Sequence, residues 1–304
     1  MYKADTNGGQ ANFWKEAEMI EMIVDATART GNTTYKGMIN ELYNGFVSRF
    51  GSDWSGNIYN DDIAWMCLAA LRGYEINGNT EMKNNAKANF DKMYARAWSS
   101  DLGGGLWWTT DNTSKNACIN GPAALVAYTI YKDFGDSSYL KKAEDIYAWQ
   151  RSNLFDTSTG RVNDNISSTG SIDNTAYTYN QGTFIGVASY LYKATQKPSY
   201  LNDAQLAADY TKNNMCNSSG LLPDEYGTSD QPGFKGIFAR WMSRFIYDCD
   251  QSQYTSWMQY NQNQAWSIKN STNLVWSQWG NSTPNGYLTS WESSSAVVML
   301  FDCP

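Results

Sequence analysis

The chain has 304 residues with 30 acidic and 23 basic side chains, a formal net charge of −7 and a pI of about 4.7. That balance excludes a nucleic-acid surface and offers no basic patch to an anionic membrane, and no run of about 18 apolar residues is present to span one. Histidine is absent, which removes Ser-His-Asp and Cys-His catalysis, imidazole bases and His-held metals, and leaves acid–base work to carboxylates, Tyr, Lys or Cys.

Cys67, Cys118, Cys216, Cys249 and Cys303 lie far apart without CxxC spacing, so no zinc site is expected, and Cys67 and Cys118 read as core thiols. Trp and Tyr are abundant, at 13 and 21 copies. Most such rings belong to a core, but the excess suits a carbohydrate cleft, where apolar sugar faces stack on rings and indole or phenol groups hydrogen-bond hydroxyls.

The chain opens Met1-Tyr2-Lys3-Ala4-Asp5, which reads as a start residue on a mature fragment with no signal peptide. From there a short connector recurs at Gly31–Tyr35, Gly78–Met82, Gly135–Tyr139, Lys197–Tyr200 and Asp250–Tyr254. In each, a Gly where present ends one helix and a Ser or Thr is expected to cap the next. Helices after the connectors, near residues 35, 82, 139, 200 and 254, are amphipathic and should be outer helices. Helices before them, starting near Trp14, Asp61, Asn116, Tyr179, Phe234 and Trp291, are apolar nearly all round and should be inner ones. The expected fold is all-α, an (α/α)6 barrel of helical hairpins forming one catalytic domain over residues 1–304. Such a barrel wants six outer helices; with five found, either one preceded Met1 or the ring closes without it.

The stretch Tyr59-Asn60-Asp61-Asp62-Ile63-Ala64-Trp65 opens the second inner helix. One Asp, or Asn60, would suffice as an N-cap. A second adjacent carboxylate adds repulsion that capping does not require. Consecutive Cα atoms are about 3.8 Å apart, so the two carboxyl groups cannot readily span the wider end of the ~6.5–9.5 Å gap of an inverting glycosidase but can reach the ~5–5.5 Å of a retaining one. In that scheme one carboxylate attacks the anomeric carbon while the other protonates the leaving oxygen. Repulsion and burial would raise the acid's pKa, and the helix end would keep the nucleophile ionised.

Polar, aromatic loops precede the inner helices, and in a ring of hairpins they converge on one face. Candidate substrate contacts there are Asn60 and Trp65 beside the pair, Trp107 and Trp108 after three glycines as stacking platforms (Trp108 alternatively facing the core), and Asn116 and Asn120, with capping as the alternative. Tyr179-Asn180-Gln181-Gly182 offers hydroxyl readers beside a permissive backbone. Lys235 and Arg240 are candidates as well, pairing with acids such as Asp224 and Glu225 being the preferred reading. Glu292 reads as structural. Asn163-Asp164-Asn165 faintly suggests a calcium loop but lacks EF-hand spacing, so no metal or other cofactor is expected.

Taken together, Phe13-Trp14-Lys15-Glu16-Ala17-Glu18, Asn60-Asp61-Asp62, Gly104-Gly105-Leu106-Trp107-Trp108, Lys115-Asn116-Ala117, Thr178-Tyr179-Asn180-Gln181-Gly182 and Phe234-Lys235-Gly236-Ile237-Phe238-Ala239-Arg240 resemble glycoside hydrolase family 76, the bacterial endo-α-1,6-mannanases. The resemblance implies an (α/α)6 barrel and retaining hydrolysis of internal α-1,6-mannosidic bonds, with Asp61 as nucleophile and Asp62 as general acid/base. It implies α-mannan or its oligosaccharides as partner, a monomer, and a secreted or cell-surface bacterial protein. Family members usually carry another helix before the Trp14-Lys15-Glu16 segment. The alternatives are a transglycosylase of the same family acting on a mannoside donor, and a non-catalytic mannan-binding protein, against which both aspartates argue.

Overall fold

A computed structural model describes residues 11–226 and 230–303; Met1–Asp5 and the other terminal residues up to 10 lie outside the described residues. Among the described residues eleven α-helices run in chain order. The inner helices are α1 (Phe13–Thr30), α3 (Asn60–Asn77), α5 (Ala117–Phe134), α7 (Thr178–Thr195), α9 (Phe234–Asp248) and α11 (Ser290–Asp302), and the outer ones are α2 (Thr33–Phe50), α4 (Thr80–Ala97), α6 (Ser137–Asn153), α8 (Pro198–Tyr210) and α10 (Thr255–Ser267). Each inner helix packs on the next and α11 returns to α1, so the inner ring of the (α/α)6 barrel is closed.

The connectors set the alternation. At Gly31, Gly78 and Gly135 the backbone turns left-handed, with φ of 65, 74 and 73°, which glycine adopts without the steric cost of a Cβ. The following residue then caps the outer helix: Asn32, Asn79 and Asp136 accept from the backbone N–H of Thr34, Glu81 and Ser138. These Asx side chains, and not the expected Ser or Thr, do the capping, because the cap must stand one residue before the first helical position. In the fourth connector Gln196 takes φ 58° and Pro198 opens α8.

Glycines also let the inner helices approach near their N-termini. A Cβ at Gly182 would sit 2.6 Å from the Phe238 Cα, and one at Gly236 would sit 2.9 Å from the Ser295 Cα. These contacts draw α7, α9 and α11 together backbone to backbone. Beside the α5 N-terminus, β1 (Ser114–Asn116), β2 (Asn165–Ser167) and β3 (Ile172–Asp173) form a small antiparallel sheet, with Asn116 opposite Asn165.

Deeper in the ring lies a buried ionic cluster. Arg240 of α9 donates to Asp25 (2.5 Å) and Glu18 (2.7 Å) of α1, while Arg72 of α3 pairs with Glu21 and Asp25. Asp302 of α11 faces the same charges, and burial together with Asp25 pushes its carboxyl up to about 7. The acids that pair with Arg240 come from the other end of the sequence and not from Asp224 or Glu225. Removing one partner from such a cluster strands the rest in low dielectric. Arg240→Met is expected to cost roughly 3–5 kcal/mol, read as a lower urea midpoint at unchanged slope.

Candidate active site

The two aspartates occupy the first turn of α3, yet neither caps it. The cap position is Tyr59, whose side chain makes no capping bond. Asn60 is engaged elsewhere: its backbone N–H donates to Trp108 O (2.8 Å), its amide donates to Trp107 O (2.8 Å), and it accepts from Arg96 Nε (2.8 Å). Arg96 of α4 also donates to Ser55 O and Asn57 O, which pins the loop leading into α3. Capping is thus removed as an explanation for the pair.

Both carboxylates are half-buried and open onto a cleft of about 710 Å³ at the N-terminal ends of the inner helices. Its walls are aromatic. Tyr179 stacks on Phe234 at 4.0 Å between centroids, and Trp14 lies 6.3 Å from Trp65 and 6.5 Å from Phe234. Trp108 and Tyr59 form one side, 5.6 Å apart, and Asn116, Asp164 and Asp230 supply polar groups. This combination of flat rings and hydrogen-bonding groups matches an amphipathic sugar.

Burial pushes the Asp61 carboxyl up to about 8, with the adjacent Asp62 charge adding and the Trp108 indole and Cys118 thiol drawing it back. Burial also pushes Asp62 up to about 6, opposed by the Asn57 amide that donates to Oδ2 at 2.8 Å and aided by the charge of Asp230. The order differs from the expectation that the helix end keeps the first aspartate ionised. Oδ1 of Asp61 is buried without a hydrogen bond of full geometry, whereas Asp62 keeps the Asn57 contact. Desolvation outweighs the helix terminus here. Near neutral pH the pair holds about one proton and titrates as a unit.

Of the substrate contacts expected from sequence, Trp65, Trp108, Asn116 and Tyr179 are brought to the cleft beside the aspartates. The others are not. Trp107 is buried behind its neighbour with the Lys115 ammonium 4.6 Å from its ring centre, so of the two expected platforms only Trp108 reaches the cleft, and it is Trp107 and not Trp108 that faces the core. The Gly103–Gly105 turn explains this: a Cβ at Gly105 would lie 2.3 Å from the Trp149 ring, so the chain passes tightly under Trp149 and turns Trp108 outward. Asn120 holds Leu106 and Asn116 O, and Gln181 donates to Gly160 O and Ala207 O. Lys235 is buried on Ser277 O beneath Trp279, and burial lowers its ammonium to about 8 against the nearby Glu225. Arg240 belongs to the ionic cluster, and Glu292 closes a capping box with Thr289. Asn180 acts indirectly, donating to Asp164 Oδ1 at 3.0 Å.

Several cleft residues were not singled out as site residues. Trp14 and Phe234 open inner helices at the same level as Asp61, and that equivalence was a readable signal. In sequence Asp164 shows only a calcium-like pattern; in the structure it is a third carboxylate of the cleft, raised by burial and hydrogen-bonded by the Asn165 and Asn180 amides. Asp230, 3.0 Å from Lys15, and Gln231 come from the loop before α9, where the sequence carried no chemical signature.

Because both carboxyls are raised by folding, the native state binds more protons than the unfolded chain between the unfolded value near 3.9 and the folded values of about 6 and about 8. Stability should therefore fall as pH rises through that window. Thermal unfolding should show Asp61→Asn and the unaltered chain matching near pH 4, with the variant a few degrees more stable at pH 8.

A sequence profile of glycosyl hydrolase family 76 matches residues 2–301. The α-1,6-mannanase of Salegentibacter sp. superposes with a TM-score of 0.92 at 30% identity, covering 99% of this chain and 92% of that one. An inactive variant of that mannanase with two consecutive aspartates replaced by alanine, in complex with α-1,6-mannotetrose, superposes with the same score at 29% identity, covering 99% of this chain and 91% of that one. Curated relatives include a putative mannan endo-1,6-alpha-mannosidase of Schizosaccharomyces pombe, 26% identical over 79% of this chain and 60% of its own, and a mannan endo-1,6-alpha-mannosidase of Saccharomyces cerevisiae, 28% identical over 60% of this chain and 45% of its own. The chain spans about half the length of these two. The fungal origin of these curated relatives overturns the expectation of a bacterial protein that the family resemblance carried. With a match over nearly its whole length, the chain belongs to glycosyl hydrolase family 76 and is by class a glycoside hydrolase.

Proposed function

We propose that this chain is an endo-acting, retaining glycoside hydrolase that cleaves α-1,6-mannosidic bonds in mannan backbones, acting as a monomer through one catalytic domain. The observation that carries the reading is a pair of consecutive carboxylates, neither used as a cap, on the floor of an aromatic-walled cleft. The inactive Salegentibacter variant, altered at two consecutive aspartates and holding an α-1,6-linked oligosaccharide, supports both the residues and the substrate.

In the proposed reaction Asp62, protonated, gives its proton to the glycosidic oxygen while Asp61 attacks the anomeric carbon. The leaving alcohol departs and a glycosyl ester on Asp61 remains. Asp62, now a carboxylate, takes a proton from water, which attacks the same carbon and releases Asp61 with the α configuration kept. In the empty cleft the shared proton favours Asp61. Positive charge developing at a bound anomeric centre would stabilise the Asp61 anion and pass the proton to its neighbour. Trp14, Trp65, Trp108 and Tyr179 would carry the sugar faces, and Asn116 and Asp164 the hydroxyls.

Incubating linear α-1,6-mannan with the unaltered chain should yield α-configured oligosaccharides, followed by NMR. Asp61→Asn should abolish this. Asp62→Asn should lower the rate on mannan roughly 100- to 10,000-fold but be partly spared on aryl mannosides whose leaving groups need no proton. Full activity of Asp61→Asn would refute the nucleophile assignment. The kcat/KM profile should be bell-shaped, its flanks following the free pair at about 6 and about 8.

A further inference from the structure

A second pocket of about 400 Å³ adjoins the main cleft and shares two of its walls, Tyr177 and Gln231. Its other walls include Tyr210, Asn214, Met215 and Glu225. Three local features build it. First, α8 does not end as an α-helix: Thr211–Met215 continue it as a π-turn, with Cys216 N–H donating to Thr211 O at 3.3 Å. The cause is visible at Ala207, whose carbonyl accepts from the Gln181 amide (3.0 Å) and the Thr211 hydroxyl (3.0 Å) as well as from the helix ladder. Such widened turns recur at functional sites, and this one carries Asn214 and Met215 to the pocket wall.

Second, Glu225 is held at φ 46°, a costly conformation for a residue with a Cβ. Its carboxylate accepts from Thr178 N–H (2.8 Å) and Thr178 Oγ1 (2.6 Å), which fastens its segment to the start of α7. Third, Tyr177 is half-buried immediately before α7, and its phenol is hydrogen-bonded by Gln231, so the shared wall is itself a Tyr–Gln pair. The pocket thus offers two phenol rings, two amides, a carboxylate and a thioether. Among the described residues no cationic side chain lines it, which disfavours an anionic ligand.

We propose that the pocket walled by Tyr177, Tyr210, Asn214, Glu225 and Gln231 is an accessory subsite for a hexopyranosyl residue of the polysaccharide whose linkage lies in the main cleft. Rings take the apolar face of the sugar, while the amides and the carboxylate meet its hydroxyls. The volume falls within the range of small-ligand sites. Contiguity through Tyr177 and Gln231 means that one chain can occupy both spaces at once. That residue is either the next unit of the backbone or a side branch. The inference rests on the proposed mannan-cleaving activity for the identity of the sugar, not for the existence of the pocket.

Asn214→Ala and Tyr210→Phe are tested in the full chain, in the Asp61→Asn background, where turnover is removed and calorimetry reads binding alone. The probes are a linear α-1,6-mannotriose, a linear α-1,6-mannohexaose and an α-1,2-branched mannan fragment. The expected result is an affinity for the triose unchanged by either substitution and an affinity for at least one larger probe lowered about tenfold. A loss on the linear hexaose assigns the pocket to the backbone; a loss confined to the branched fragment assigns it to a side branch. Equal affinities for all three probes before and after substitution, with unchanged melting temperature, overturn the inference. Failure of the unaltered chain to cleave any α-1,6-mannan, with the length-dependent binding still lost in Asn214→Ala, would refute the proposed reaction and leave the subsite standing.

Discussion

Two carboxyl groups on consecutive residues are taken out of bulk water at the mouth of a helix, and every other feature of the site answers to that constraint. The cost is large because burial removes both carboxyls from water and because the Asp62 charge adds to the burden on Asp61. The fold tolerates it by fixing the entry to α3 from outside. Arg96 ties down Ser55, Asn57 and Asn60, Trp107 and Trp108 receive the Asn60 backbone and side chain, and only Asn57 is left to touch Asp62. Burial that outweighs the Trp108, Cys118 and Asn57 contacts, in a site whose backbone is pinned, keeps the carboxyls protonatable near neutral pH. Retaining acid–base chemistry without histidine needs that property.

The ring geometry supplies the rest. Backbone-close packing at Gly182 and Gly236 brings the N-termini of α7, α9 and α11 near one another, and residues from five inner helices, α1, α3, α5, α7 and α9, reach the same cleft. Below them, the Arg72 and Arg240 cluster binds α1, α3 and α9 across the ring through ion pairs that form only in the closed barrel. The buried charges specify which helices meet, and the glycines set how near they come.

Much of this was legible in the sequence, and the limits have physical causes. The hairpin connectors could be read because Gly31, Gly78 and Gly135 do a job that few other residues can do, and the inner–outer alternation because a helix wetted on one face differs from one packed all round. The Asp61–Asp62 pair stood out because capping needs one acid, not two. What failed was side-chain direction at helix starts. Asn60, Asn120, Gln181 and Lys235 sit at the right level of the barrel but turn to buried backbone carbonyls, a choice made by loops distant in sequence. Trp107 and Trp108 could not be told apart without Trp149 crossing above Gly105. Arg240 found its acids more than 200 positions away, at Glu18 and Asp25, and no local pattern records that.

In the proposed reaction the first aspartate of the pair carries the sugar as an ester. A fluorinated mannosyl fluoride, which slows release of such an ester more than its formation, would be incubated with the unaltered chain and the protein digested for mass spectrometry. The expected result is one added fluoromannosyl mass on the peptide spanning the start of α3, with fragmentation placing it on Asp61. No adduct on that peptide, together with product of inverted anomeric configuration from α-1,6-mannan, would contradict it.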